Sequence, residues 1–121
     1  MNDQQYDDLL NLIIQKTRAG NIQWSPSSIS DTYQANIGIG SVAIFYDSDP
    51  DTAMQLSEAF PIASLNFRNE RGETFKRIQS YYTSDPDHYR LYELYQLAHN
   101  AYMKTNETVQ SMFDELSRQP S

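Results

Sequence analysis

The last third of the chain carries the most regular hydrophobic pattern. Residues suited to the buried face of a helix follow one another there at steps of three or four: Leu91, Tyr95, Ala98, Tyr102, Thr105, Val109, Met112 and Leu116. That spacing places side chains on one face of a helix. The pattern predicts a helix that begins at Asp85 as N-cap, with Pro86 as its first residue, and that runs to Leu116. Residues 104–107 form helix poorly, and Thr105 or Asn106 is suited to cap a new helix, so we expect either a bend or a one-residue break there.

A second helical pattern occupies residues 2–19. Its apolar face is formed by Tyr6, Leu9, Leu10, Ile13, Ile14 and Thr17. Asn2 is suited to cap this helix, and Gly20 is the type of residue that follows a helix end. Trp24, the only tryptophan, comes shortly after it. We interpret Trp24 as a core anchor between the helix and the sheet, with a ligand-binding platform as the alternative.

Between the helices, alternation of apolar and polar residues predicts four strands. They cover residues 32–37, 41–47, 62–68 and 73–79, while residues 25–28 read as a loop. The short Gly38–Gly40 connection indicates an antiparallel hairpin. Phe75 and Ile78 are three residues apart, a spacing that breaks the alternation of a regular strand. A bulge in the fourth strand would account for it. The chain is therefore predicted to be a single two-layer α+β domain over residues 1–121. It has an N-terminal helix, a four-stranded antiparallel meander, and a long C-terminal helix or helix pair packed on one face.

Composition narrows the classes of function. The chain has 121 residues, a formal net charge of −7 and no cysteine, which excludes disulfides and thiolate chemistry. An acidic protein is repelled by phosphate backbones, so no nucleic-acid partner is expected. The N-terminus lacks the basic and apolar regions of a secretory signal, and no apolar run is long enough to span a bilayer. We expect a cytoplasmic protein without a membrane partner.

One acidic loop has part of the spacing of a calcium-binding loop. Asp47, Asp49, Asp51 and Glu58 stand at relative positions 1, 3, 5 and 12, but Thr52 replaces the glycine that the loop needs at position 6. A solvated acidic loop is the favoured interpretation. The two histidines, eleven residues apart on the predicted helix, are about 16 Å from each other, too far to share a metal. We therefore predict no metal and no cofactor.

No catalytic motif is present, and the chain is predicted not to be an enzyme, with an enzyme whose site is assembled only in space as the alternative. Tyr92, His99 and Met103 form a second, narrower stripe on the last helix, and Leu97 is expected to point away from the main face. Tyrosine and methionine on a polar surface favour protein interfaces. These four residues are the predicted contacts for a protein partner or a homodimer, and the flank of the core is the alternative.

Two stretches resemble small uncharacterised bacterial and mobile-element proteins. The first is Thr17-x-x-Gly20-x-Ile22-x-Trp24 followed by Tyr33-x-Ala35; the second is Leu91-x-x-Leu94-Tyr95-x-Leu97-Ala98 followed by Asp114-Glu115-Leu116. Those proteins often have basic residues after the helical alanine, where this chain has His99 and Asn100. The resemblance implies the α+β plan and supplies no catalytic residue.

Together these observations predict a non-enzymatic protein-binding or regulatory protein, of the inhibitor, immunity or anti-defence type. The alternatives are an acidic, dimeric protein similar to type III secretion chaperones and the enzyme mentioned above. A secretion chaperone would expose an apolar groove, and an enzyme would need a deep pocket lined by carboxylates with shifted pKa values.

Overall fold

The computed structural model describes residues 3–47 and 61–120. In chain order its elements are α1 (Asp3–Arg18), β1 (Ser25–Pro26), β2 (Thr32–Ile37), β3 (Gly40–Tyr46), β4 (Ala63–Arg68), β5 (Thr74–Ser80), α2 (His88–Met103) and α3 (Thr105–Arg118). The strands form one sheet in the order β1-β2-β3-β4-β5, and every neighbouring pair is antiparallel. The predicted α+β architecture is confirmed.

The sheet has five strands rather than the predicted four. The additional strand is β1, in which Ser25 pairs with Gln34 and Pro26 with Tyr33. Its composition is typical of a loop, but an edge strand tolerates a proline because no second neighbour needs the missing N–H group. The predicted bulge is confirmed, because the register shifts opposite Phe67 and Arg68 and leaves Phe75 as the extra residue of β5.

The core lies between one face of the sheet and two helices. It joins residues of α1, Trp24, the inward-facing residues of β2 to β4, and α2. Trp24 is 5% exposed, and its Nε1 donates to Thr17 Oγ1 of α1 at 3.1 Å. The interpretation of Trp24 as a core anchor is confirmed. Leu10, Ile44, Leu65, Leu91 and Leu94 are fully buried and mark the centre of the core.

The predicted start of the last helical stretch is wrong by two residues. Asp87, not Asp85, is the N-cap of α2, and Pro86 precedes the helix. The Asp85 carboxylate instead accepts hydrogen bonds from the backbone N–H groups of Tyr81 and Tyr82, at 2.7 and 3.1 Å. An aspartate can cap a turn as readily as a helix, and here the turn before α2 takes it. The predicted cap of α1, Asn2, lies outside the described residues.

The predicted break in the C-terminal helical stretch is confirmed at Lys104. This residue has φ 54° and ψ 43°, the left-handed conformation, and it separates α2 from α3. The expectation that the apolar stripe faces the core over its whole length is wrong beyond that point. Leu91 and Ala98 are fully buried, whereas Val109 is 45% exposed and α3 has no buried residue. The left-handed residue changes the course of the chain, so positions in phase with α2 along a straight helix no longer meet the core.

No helix within residues 3–47 and 61–120 combines the length and apolar character needed to cross a membrane.

Candidate functional site

Helix α3 presents an apolar face that nothing in the described part of the chain buries. Val109, Met112, Phe113 and Leu116 are 45, 60, 64 and 66% exposed. They stand at positions i, i+3, i+4 and i+7, so they lie side by side along one face. We call these four residues the α3 stripe.

Local interactions explain why this segment is helical without help from the core. Glu107 lies in the first turn and Arg118 in the last, which suits the helix dipole. Gln110 Nε2 donates to Asp114 Oδ1 at 3.0 Å, and Arg118 forms an ion pair with Glu115 at 3.1 Å. Pairs of this kind stabilise a helix by about 0.2–0.5 kcal/mol each.

The positions that flank the α3 stripe are mostly uncharged. A period of about 3.6 residues places Asn106, Gln110 and Ser117 along one side of the stripe, and Thr108 and Glu115 along the other. The charged residues Glu107, Asp114 and Arg118 fall on the opposite side of the helix. On a chain with a net charge of −7, the stripe and its immediate border therefore form a largely neutral, apolar surface.

The residues predicted as partner contacts lie on α2 and fall into two pairs. Tyr92 is 41% and Met103 is 55% exposed. The Tyr92 ring packs edge-on against Tyr46 of β3, with ring centroids 5.0 Å apart, and Met103 is the last residue before the break at Lys104. Both retain enough exposed surface to contact a partner, and their role in binding stays a prediction.

The other two predicted contacts are held more closely by the protein itself. His99 Nδ1 and the Tyr33 hydroxyl are joined by a hydrogen bond of 2.6 Å, and the His99 ring stacks on Tyr95. Leu97 is partly buried against the core. The expectation that Leu97 points away from the core is wrong, because α2 packs against both α1 and the sheet and a wider arc of the helix is covered.

Tyrosine rings form the seam between α2 and the sheet. Tyr33 contacts Tyr95, His99 and Tyr102, while Tyr46 contacts Tyr92 and Tyr95. Burial raises the pKa of Tyr33, Tyr46 and Tyr95 above the ordinary value, and nearby acidic groups, including Asp31 and Asp47, add to the effect. At neutral pH these phenols are therefore protonated, and they act as packing and hydrogen-bonding groups.

A cleft of about 830 Å³ lies next to this seam. Its walls are the segment from Gly20 to Ser25, strand β2, the end of α2 and the start of α3. The lining combines side-chain amides, from Gln23, Gln34, Asn36, Asn100 and Asn106, with apolar and aromatic side chains, from Ile22, Trp24, Ala35, Leu97, Ala101 and Tyr102. The charged residues of the lining are Arg18, Lys104 and Glu107, and Arg18 is already engaged in an ion pair with Glu93. Amides bind polar groups but do not transfer protons at neutral pH, so this lining suits binding better than acid–base catalysis.

Most of the acidic loop singled out in the sequence lies outside the described residues. Asp47 is described, whereas Asp49, Asp51 and Glu58 are not. Within the described ranges there is no cluster of three or more histidine, aspartate or glutamate residues that could hold a metal ion. The described residues therefore do not include the set of side chains that the calcium-binding hypothesis requires.

Sequence reasoning assigned Val109, Met112 and Leu116 of the α3 stripe to the core and so missed the stripe as a contact surface. The available signal was the group of weak helix formers at residues 104–107, which separates the stripe from the buried residues of α2. Treating α3 as an independent helix would have left its apolar face without an assigned partner. The chain matches no protein-family model, and neither curated proteins nor solved structures show a significant similarity to it.

Proposed function

We propose that this is a non-enzymatic protein-binding or regulatory protein whose binding element is α3. The observation that supports the proposal is the exposure of all four residues of the α3 stripe, from 45 to 66%. Large apolar side chains that are contiguous and exposed mark interaction surfaces more often than isolated ones do. An amphipathic helix with anchors at i, i+3, i+4 and i+7 is the standard ligand of a hydrophobic groove.

The energetics of the helix favour the same function. Isolated helices shorter than about 12–15 residues are only marginally stable in water, and α3 has 14 residues. Burial of apolar area on a partner would stabilise it at about 25 cal/mol per Å². A partner would thus bury the apolar face of α3, as the sheet and α1 bury the apolar face of α2.

The proposed occupant is a different protein with an apolar groove, not a second copy of this chain. A stable interface needs about 800 Å² from each partner. Two α3 helices packed side by side would bury little more than the four stripe residues of each copy. A groove also encloses the uncharged flanks, Asn106, Gln110 and Ser117, and so gains area that helix pairing leaves in water.

The biological class remains the one expected from the sequence, a cytoplasmic inhibitor, immunity or anti-defence factor. The small size, the acidity and the resemblance at both ends of the chain support it. The secretion-chaperone alternative needs an apolar groove in this chain, whereas the described cleft is lined by a mixture of amide, charged and apolar side chains. The enzyme alternative needs carboxylates in that cleft, and Glu107 is its single described carboxylate.

The test compares three tagged proteins in extracts of the cells that encode the chain. They are the unmodified protein, Phe113→Asp in the stripe, and Ser111→Asp on the polar side of the same helix as the matched control. We expect one partner to be retained by the unmodified protein and by Ser111→Asp, and to be lost with Phe113→Asp. Tyr92→Ala combined with Met103→Ala then tests whether the contact extends onto α2.

Two outcomes would contradict the proposal. The first is an identical set of captured proteins for all three baits. The second is a dimer of the purified protein in light scattering that Phe113→Asp dissociates, because the stripe would then be covered by a second copy. Circular dichroism of each variant checks that the α/β body is still folded.

A further inference from the structure

The face of the sheet opposite the helices has an unusual distribution of charge. Side chains of neighbouring strand residues alternate between the two faces. On β4, Leu65 and Phe67 belong to the core, so Ser64, Asn66 and Arg68 lie on the opposite face. Across β2 to β5 this face carries mostly hydroxyl, amide and small side chains. Its charged residues in the described strands are Arg68 and Arg77, and neither is balanced by a carboxylate on the face.

Strand register brings these two arginines together around one amide. Asn66 of β4 pairs with Arg77 of β5, and Arg68 stands two residues further along β4 on the same face. Diagonal neighbours on adjacent strands are about 7–8 Å apart, within reach of long side chains. The two guanidinium groups can therefore converge on a single point above Asn66.

A buried hydroxyl orients the central amide. Ser64 is 5% exposed, and its Oγ donates to Asn66 Oδ1 at 2.7 Å. That bond fixes the orientation of the amide, and its Nδ2 group supplies the donors that an anion needs. The cluster then offers hydrogen-bond donors from three side chains: two guanidinium groups and one amide.

The lack of counter-charge distinguishes these arginines from the others. Arg18, Arg71, Arg90 and Arg118 each form an ion pair with a carboxylate. In the described ranges, Arg68 and Arg77 have no such partner, although the chain has 16 acidic residues and 9 basic ones. Two like charges on neighbouring strands repel each other, and the repulsion costs free energy. An anion bound between them would remove that cost.

We propose that Arg68, Arg77 and Asn66 bind one compact dianion, the phosphate group of a small soluble phosphomonoester. Two guanidinium charges balance a dianion, and the planar donor fork of arginine matches the oxygens of a phosphate group. A long polyanion is disfavoured, because its further charges would meet an acidic chain of net charge −7. An anionic membrane surface is disfavoured for the same reason.

The test is an NMR titration at pH 7.5 of isotope-labelled protein with inorganic phosphate and with glycerol 3-phosphate, against sodium chloride at equal ionic strength. We expect the Nε–Hε signals of Arg68 and Arg77 and the Nδ2 signals of Asn66 to shift and saturate. The loss of one charge-assisted hydrogen-bond pair lowers affinity about tenfold, so Arg68→Gln and Arg77→Gln should each have that effect. Arg71→Gln, in the neighbouring hairpin, is the matched control and should leave affinity unchanged.

The proposal fails if sodium chloride reproduces the shifts, or if Arg71→Gln weakens binding as much as Arg77→Gln does. It also fails if only phosphatidylserine vesicles or a single-stranded oligonucleotide bind at this face. The two arginine variants, each checked by its backbone spectrum, keep the test valid if one of them fails to fold. Phe113→Asp should leave phosphate binding unchanged, so failure of the proposed α3 contact and failure of this site are distinguishable.

Discussion

Helices α2 and α3 are neighbours of similar length, 16 and 14 residues, and have opposite relations to the core. Both carry apolar residues at helical spacing. Leu91, Leu94 and Ala98 of α2 are fully buried, whereas no residue of α3 is buried. Only Lys104 separates the two helices. The comparison shows that periodicity identifies which residues share a face, but the course of the chain decides whether that face is covered.

The largest expected difference between the helices is in the cost of deleting a leucine. Leu94→Ala removes a fully buried side chain and should lower the free energy of unfolding by about 2–5 kcal/mol. Leu116→Ala, at a position 66% exposed, should change it by no more than about 0.5 kcal/mol. Urea denaturation followed by Trp24 fluorescence measures both variants. Equal losses would mean that α3 is packed as α2 is.

The next effect is a loss of stability at alkaline pH that arises from the α2 seam. Burial raises the pKa of Tyr33, Tyr46 and Tyr95 in the folded protein, so the unfolded chain loses these protons first. The free energy of unfolding should be constant up to the ordinary tyrosine pKa of about 10 and fall as pH rises above it. Urea denaturation at pH 8 and at pH 11 measures the fall. Tyr46→Phe should reduce it, whereas Tyr89→Phe, at a side chain that is 74% exposed, serves as the control.

The smallest effect concerns the residue that separates the helices. Lys104 adopts a left-handed conformation that glycine accepts without strain. Lys104→Gly should therefore raise the free energy of unfolding by up to about 1 kcal/mol. Lys104→Ala removes the same side chain but keeps the strain, and it should give no gain in thermal denaturation. A gain for alanine equal to that for glycine would mean that the lysine side chain, not the backbone, is unfavourable there.

Much of the fold could be predicted because it depends on local patterns. A few neighbouring residues are enough to show each of three patterns. These are the helical spacing of apolar residues in α1, the alternation of apolar and polar residues in β2 to β4, and the Gly38–Gly40 hairpin. The bulge at Phe75 could be predicted from the spacing to Ile78. Trp24 could be placed in the core because a single large indole is costly to expose.

The remaining features depend on contacts between distant residues. Strand β1 exists because Ser25 and Pro26 meet β2 across a loop, and its composition alone indicates a turn. Leu97 is covered because α1 packs beside α2. The placement of Arg68 and Arg77 on neighbouring strands of one sheet face depends on the register of those strands.

The candidate site could be predicted only in part, for the same physical reason. The predicted contacts Tyr92, Leu97, His99 and Met103 all lie on α2. The face that is most exposed lies one residue beyond that helix, on α3, where the sequence pattern indicated core. Spacing could group the stripe residues with one another, but it could not show that the chain changes course at Lys104.

Amide hydrogen exchange of the purified protein tests the central claim most directly, because it reports the stability of α2 and α3 separately in one sample. We expect the amides around Leu91 to Ala98 to exchange only through opening free energies close to that of global unfolding. The amides from Val109 to Leu116 should exchange at least about 100-fold faster, at every protein concentration, because their apolar face is uncovered. Equal protection of the two segments in the monomer would contradict the account.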